Sequence, residues 1–405
     1  MANIKQTAGS GKGVLKLLRG GRSDAGQAGI DFYDYNLLAA VILLTCFGLV
    51  MLYSTSAYEA SVDFGNDMTF FAKQAGIGAF SFLVMLVGSR IDYHIYTRAA
   101  GFLYVLSNLM LIATKFIGTT INGARRWIYF AGISFQPAEL AKLAIILFLP
   151  TVIVKAGRKF RRFEVPAKIS VFGIVTAFLT YQFTDNLSTG IIIFGITVAL
   201  IIIAHPNPKK LVQLIAVIIG AVVIISVVIR FTGALDHVTS SGSFRLQRII
   251  TWLHPEQNQD EGGYQVMQAL YAIGSGGMFG KGLGNSAQKL GALPEAQNDM
   301  IFSIICEEMG IIGAVIVILL FVFLLWRLLF IAMNAPDLLG SLIATGIFAH
   351  IALQVILNIA VVLNVIPPTG ITLPFVSYGG TSILFLMMEM MLALSISGQI
   401  RHKVS

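Results

Sequence analysis

The chain has 405 residues, 56% of them hydrophobic and only 12% charged, with a mean hydropathy of +0.80. Soluble domains run at about 45–50% apolar and about 25% charged residues, so this composition excludes an ordinary water-soluble protein and points to a polytopic helical membrane protein. The net charge of +8 does not indicate a nucleic-acid partner, because the basic residues cluster in short loops between apolar runs, the pattern of cytoplasmic loops.

In chain order, residues 1–34 read as a basic cytoplasmic tail carrying Lys5, Lys12, Lys16, Arg19 and Arg22, with a short membrane-surface helix at 13–18. Residues 35–400 read as one transmembrane domain and 401–405 as a cytoplasmic tail. The first apolar run begins near Leu37 and is too long for a signal-peptide core, so it is expected to remain as an anchor. Ten spans are expected near 37–57, 69–88, 97–117, 136–154, 168–184, 187–204, 210–230, 302–326, 340–364 and 376–398. The fold class is therefore all-α and polytopic, with a large extracytoplasmic loop, 231–301, between the seventh and eighth spans. Arg90, Arg98, Lys155, Arg158, Arg327 and Arg401 all fall on one side if both termini are cytoplasmic. Cys46 and Cys306 lie far apart in apolar surroundings and suggest no disulfide framework.

Against that bias, Arg125 and Arg126 fall on the outer side. They admit two readings: an anionic partner at the outer leaflet, or head-group anchoring beside Trp127. Ionisable residues inside spans are costly and mark either function or internal pairing. Glu139 and Lys142 are three apart, share a helix face and can pair, either as a structural tie or as the lining of a cavity. Asp299 lies where the long loop enters the eighth span. It reads as a helix N-cap or as a catalytic carboxylate at the outer interface. Glu307 is expected on nearly the same helix face as Asp299, as the better second carboxylate, with Glu308 turned away. His350, Gln354 and Asn358 form one polar stripe, expected to bond between spans. The chain then breaks at Pro367-Pro-Thr-Gly-Ile-Thr-Leu-Pro-Phe-Val-Ser-Tyr, a segment tolerated at membrane depth only where it is buried in protein or lines a cavity. This segment, with Ser377, is expected to complete the outer site. Phosphate loops, dinucleotide fingerprints, His/Cys metal spacings and hydrolase elbows are missing.

Taken together, Gly48-Leu-Val-Met-Leu-Tyr-Ser-Thr-Ser-Ala, Gly123-Ala-Arg-Arg-Trp-Ile, Phe135-Gln-Pro-Ala-Glu-Leu-Ala-Lys-Leu, Gly263-Tyr-Gln through Gly284, Leu293-Pro-Glu-Ala through Glu308 and Pro368-Thr-Gly through Gly380 resemble the SEDS family (shape, elongation, division, sporulation) from about Tyr35 to Arg401. The resemblance implies a ten-span peptidoglycan glycosyltransferase that polymerises lipid II at the outer face of the cytoplasmic membrane beside a cognate class B penicillin-binding protein. It implies Asp299 as the essential acid and Glu139 with Lys142 as the paired residues of the fourth span. Two departures stand out. The family motif's His is Gln297 here, which throws weight onto Asp299. Asp185 sits one place before the family's usual acidic position, which is occupied by Asn186. The basic tail and the phrasing around Asp299 look like the division branch, implying septal enrichment and other divisome membrane proteins as partners.

The expected mechanism has Asp299 taking the acceptor hydroxyl proton, since a carboxylate at an apolar–polar boundary is a strengthened base. Arg126, Lys142, Lys281 and Lys289 are the cations available to the departing pyrophosphate. A divalent cation, magnesium or manganese, is compatible with that task, although no ligand cluster marks one. The alternatives are a lipid II flippase without bond-making, a rod-shape paralogue of the same enzyme class, and a division scaffold.

Overall fold

The computed structural model describes residues 30–206 and 262–402, apart from 122–123, 131–132 and 163, together with 208–209, 213, 251–253 and 255–257. In order, the chain forms strand β1 (Ile30–Phe32) and helices α1 (Tyr35–Phe64), α2 (Thr69–Gly88), α3 (Tyr93–Arg98) and α4 (Ala100–Ile117). Strands β2 (Thr119–Ile121), β3 (Ala124–Phe130) and β4 (Ile133–Phe135) follow, then α5 (Pro137–Ala156), α6 (Glu164–Thr184) and α7 (Leu187–Ala204). Beyond Gly262 come α8 (Gly263–Gly276), α9 (Ile301–Asn334), α10 (Leu338–Val362), α11 (Ser382–Ser397) and strand β5 (Ile400–His402). Eight of these helices are long and apolar enough to cross a bilayer, and α11 is a shorter apolar helix. The expected span at 210–230 apart from residue 213, most of 231–261 and the tail before Ile30 lie outside the described residues.

The polytopic helical class therefore holds, with three local departures, one being that the last expected span, 376–398, is helical only over Ser382–Ser397. The third expected span divides at Ala99 into α3 and α4. The connection before the fourth span is a three-stranded antiparallel sheet in the order β2-β3-β4. Its β-branched and aromatic content favours extended pairing over a plain loop.

Burial divides the helices. In α5 and α10, 61% of the apolar window is enclosed by protein, against 22% in α2 and α4. Polar groups on α5 and α10 must therefore find partners within the bundle, whereas α2 and α4 turn most of their surface outward, toward lipid.

Helix α9 is broken at Gly310, whose φ of 68° and ψ of −167° are not helical. A side chain is strained in that region, so glycine suits the break. The backbone groups released there are taken up by the turn after α8. Lys281 N donates to Glu307 O at 2.9 Å and Gly282 N to Glu308 O at 2.9 Å. Ile311 N and Ile312 N donate to Gly277 O at 3.0 Å and Met278 O at 3.3 Å. A Cβ at Gly276 would be driven into the Cys306 carbonyl, so only glycine lets α8 approach this closely.

The two ends of the domain meet on one face. β1 pairs antiparallel with β5. Asp34, fully buried, caps α1 through Leu37 N at 2.9 Å and takes three bonds from Arg327, the shortest 2.7 Å. Beside it, His94 bridges Asp92 (2.7 Å) and Asp337 (2.9 Å), and Asp337 caps α10 through Gly340 N at 2.7 Å.

This cluster predicts a pH dependence. Burial opposes a charge on His94, but bonds and attraction from Asp92 and Asp337 outweigh it and raise its pKa above 6.5. Burial likewise opposes charge on Asp92, yet bonds from the His94 backbone, Gln399 and the His94 ring pull it down to about 2. A raised histidine stabilises fully below its unfolded value and loses that contribution as pH climbs through the folded value. A depressed aspartate stabilises above its unfolded value and fails only as pH falls toward the folded one. Thermal unfolding in detergent should therefore show a melting temperature that declines as pH rises above about 6.5, the unfolded value of His94. His94→Gln should flatten that decline.

Candidate active site

At the end of the bundle opposite this latch, four pieces of chain converge: strand β3, the α6–α7 junction, the stretch entering α9, and the non-helical segment 363–381 between α10 and α11. Segment 363–381 is held from every side. Ser188 Oγ donates to Thr369 O at 3.2 Å, Thr381 Oγ1 to Ser134 O at 2.8 Å, and Tyr378 N to Gln297 O at 2.9 Å. Gly48 of α1 lies against the backbone of Phe375 and Val376, where a Cβ would collide.

Asp299 and Arg126 meet across this segment. A Cβ at Gly370 would lie 3.2 Å from Arg126 Nη1 and 3.8 Å from Asp299 Oδ2, so both side chains reach the same point. Both are half-buried. Arg126 Nη2 donates to Asp185 O at 3.1 Å, tying β3 to the α6–α7 junction. Asn358, fully buried on α10, donates to Asp299 O at 2.9 Å and Ile371 O at 2.6 Å, locking the Asp299 backbone to the turn that carries Gly370. Helix α9 begins at Ile301, with Met300 at the cap position and no side-chain cap bond, so Asp299 is not the N-cap of α9.

The polar stripe of α10 extends this scaffold inward. Lys142 pairs with Glu139 at 2.9 Å and donates to Gln354 Oε1 at 2.9 Å. Gln354 Nε2 donates to Thr372 O at 3.0 Å, so its amide orientation is set. His350 Nε2, 2.8 Å from Gln354 Oε1, must then be a donor, because that oxygen only accepts. His350 Nδ1 and Glu389 Oε2, 2.7 Å apart, consequently share one proton. The pairing expected of Glu139 and Lys142 is present, and it is joined to the segment beside Asp299 through one amide.

The cations anticipated for a pyrophosphate are arranged differently from the sequence expectation. Lys281 is bound to Glu307 at 2.6 Å, and Lys289 to Glu308 at 2.7 Å. Lys142 is almost fully buried in its pair. The reason is the break in α9, which aims two consecutive buried carboxylates at the turn after α8. Glu307 also accepts from Ser286 Oγ and, at 3.2 Å, from Ala287 N. Glu308 accepts from Ser54 Oγ at 2.7 Å. Glu307 is therefore no second carboxylate to Asp299: Asp299 precedes the helix, so the angular spacing along it does not apply. Arg126 is the cation beside Asp299. Ser377 Oγ accepts from Leu373 N at 2.8 Å and braces the turn 373–377. Gln297, where the family motif has His, donates to Glu59 at 2.8 Å and is buried. Asn186 caps α7 through Thr189 N at 3.0 Å, and Asp185 takes a left-handed φ of 48°. Sequence reading missed Asn358's hold on Asp299, and Glu389 as the partner of His350. The second was signalled by a lone acidic residue in the last span. Among the described residues no group of three or more His, Cys, Asp or Glu side chains is placed to hold a metal ion.

The clamp on α9 generates a prediction. Glu308→Ala leaves the Lys289 ammonium, 8% exposed, without its carboxylate and should destabilise the fold by about 3–5 kcal/mol. Replacing both residues with Leu and Met should recover most of that loss. Calorimetric or denaturant unfolding of the single and double variants checks it.

Comparison with known proteins agrees with this architecture. Residues 34–402 match the FtsW/RodA/SpoVE family, described as cell cycle protein. The chain is 39% identical over 378 residues to stage V sporulation protein E of Bacillus subtilis (strain 168), covering 91% of this chain and 98% of that one. It is 33% identical over 381 residues to the probable peptidoglycan glycosyltransferase FtsW of Geobacter sp. (strain M18), covering 92% and 98%. Among solved structures it superimposes with TM-score 0.69 and 25% identity on a chain from a study of how a peptidoglycan synthase complex coordinates polymerization and crosslinking, covering 90% and 97%. It matches the fold of the rod shape determining protein RodA of Thermus thermophilus with TM-score 0.63 at 23% identity, covering 91% and 98%. Sequence match over nearly its whole length and a shared fold place this chain in the FtsW/RodA/SpoVE family of cell cycle proteins.

Proposed function

We propose that this chain is a peptidoglycan glycosyltransferase, polymerising lipid II into β-1,4-linked glycan at the outer face of the cytoplasmic membrane with Asp299 as general base. The observation that carries the assignment is the meeting of Asp299 and Arg126 across Gly370, with the Asp299 backbone held by Asn358. In this reading the Asp299 carboxylate takes the proton of the acceptor sugar's 4-hydroxyl as that oxygen attacks the donor's anomeric carbon. The bond from that carbon to undecaprenyl pyrophosphate breaks on the opposite face, turning an α-linked donor into a β-linked product. Arg126 receives the departing phosphate charge, for which its planar, permanently charged fork is suited. Both substrates are held by polyprenyl tails in one plane, which lowers the cost of bringing them together.

The Glu139–Lys142 pair acts in this reading as a support, transmitting its position through Gln354 to Thr372. The latch face carrying Arg90, Arg98, Lys155 and Arg327 is assigned to the cytoplasm by its excess of basic residues, which sets Asp299 on the outer side. A class B penicillin-binding protein is the expected crosslinking partner, in keeping with the peptidoglycan synthase complex that shares the fold. The role assigned is septal wall synthesis, with enrichment at the septum. A second role, spore-envelope wall synthesis, is favoured by the 39% identity to a sporulation protein, above the 33% to an FtsW.

Asp299→Asn should lower glycan synthesis from purified lipid II by about 10²–10⁴-fold, with an unchanged melting temperature. Wild-type rates from that folded variant would remove Asp299 from the chemistry. Polymer formed in detergent, where no second compartment exists, would separate an enzyme from a flippase.

A further inference from the structure

At the latch end, opposite Asp299, a cavity of about 380 Å³ opens between the α3–α4 junction, the last turns of α5 and the start of α10. Arg98, Lys155, Thr97, Thr151, Phe148 and Val152 line it. None of these residues takes part in the site described above. We propose that this cavity binds an anionic phospholipid with a hydroxyl-bearing head group, of the phosphatidylglycerol type.

Four observations define the ligand. First, Arg98 and Lys155 occupy the last turns of α3 and α5, are exposed, and enter none of the ion pairs among the described residues. Two cations at a membrane–water boundary call for an anion, and phosphate suits both. Second, the Thr97 hydroxyl donates to His94 O at 2.8 Å and the Thr151 hydroxyl to Leu147 O at 2.8 Å. Their hydrogens are spent on their own helices, so toward the cavity each oxygen can only accept. The ligand must bring donors as well as negative charge. A glycerol head group does so; a choline head group offers no O–H or N–H.

Third, the wall beneath these polar atoms is apolar and stiff. The Phe148 ring stacks on Tyr104 with centroids 4.3 Å apart and packs edge-on against Phe172 at 5.3 Å. A free phosphate compound would leave that wall facing water, whereas the first methylenes of an acyl chain would cover it. Fourth, the volume falls in the range of ligand sites of about 300–1,000 Å³. It accommodates a head group and the adjoining glycerol ester region, with the chains continuing into the bilayer.

The experiment uses the full chain in neutral detergent. Native mass spectrometry counts retained lipid, and thermal unfolding is followed as phosphatidylglycerol, phosphatidic acid, phosphatidylcholine or glycerol 3-phosphate is added. The wild type should retain phosphatidylglycerol in preference to phosphatidylcholine and melt at higher temperature with it. The double variant Arg98→Gln/Lys155→Gln should weaken that retention by at least about tenfold, as removal of two interfacial cations implies. Gly101→Trp should weaken it equally with no change of charge. Gly101 borders the cavity and a Cβ there meets open space, so the variant should fold. Thr151→Val should erase the preference for phosphatidylglycerol over phosphatidic acid. The proposal is overturned if both cavity variants bind phosphatidylglycerol as the wild type does, or if phosphatidylcholine is retained equally well. Equal stabilisation by millimolar glycerol 3-phosphate would overturn the lipid assignment in favour of a soluble phosphate ligand.

Discussion

A bilayer offers no water to unpaired peptide groups, and the arrangement of this protein follows from that constraint. The chain breaks regular structure at Gly310 and again over 363–381, beside Asp299. In both places the released N–H and C=O groups are collected by neighbouring chain. At Gly310 the collector is backbone, the turn after α8, whose amides and carbonyls replace the missing helical bonds. At 363–381 the collectors are side-chain amides: Gln354 and Asn358 take the carbonyls of Thr372 and Ile371, and Asn358 also takes that of Asp299. The site rests on the second repair, which fixes the Asp299 backbone against the turn that carries Gly370.

Among the described residues, buried charge is used sparingly and in pairs. Glu307, Glu308 and Glu389 are almost wholly enclosed, and each faces a lysine or histidine. Such pairs add little net stability over an apolar core, because desolvation cancels most of their attraction, but separating them is costly. Their consequence is specificity. Two consecutive carboxylates on α9 select two lysines on one turn, which leaves that turn one way to dock. The same logic joins Glu139, Lys142, Gln354, His350 and Glu389 across α5, α10 and α11, giving the centre of the bundle a single arrangement.

The two ends of the bundle do different work on one frame. The latch end collects both ends of the domain through β1–β5 and through Asp34 with Arg327. The other end gathers loops from across the chain, so Asp299 and Arg126, 173 positions apart in the sequence, reach one glycine. A rigid middle lets the second end hold irregular backbone without losing its shape.

Much of this was legible in the sequence for plain physical reasons. Apolar runs of about twenty residues fix the spans, basic loops group on one side, and the three-residue spacing of Glu139 and Lys142 puts them on one helix face. The stripe His350, Gln354, Asn358 announced a bonded interface, and the Asp299 motif announced the site. The sequence did not say what the stripe would hold, nor that Lys281, Lys289 and Ser377 would be occupied within the fold, nor that Gln297 would turn toward Glu59. Spans are set by local composition, because lipid solvates every apolar run alike. Partners are set by which helices touch, and a one-dimensional pattern carries no record of distance between segments hundreds of residues apart. Only the packed bundle decides which carboxylates are neutralised by a lysine and which one is set beside Arg126 at Gly370.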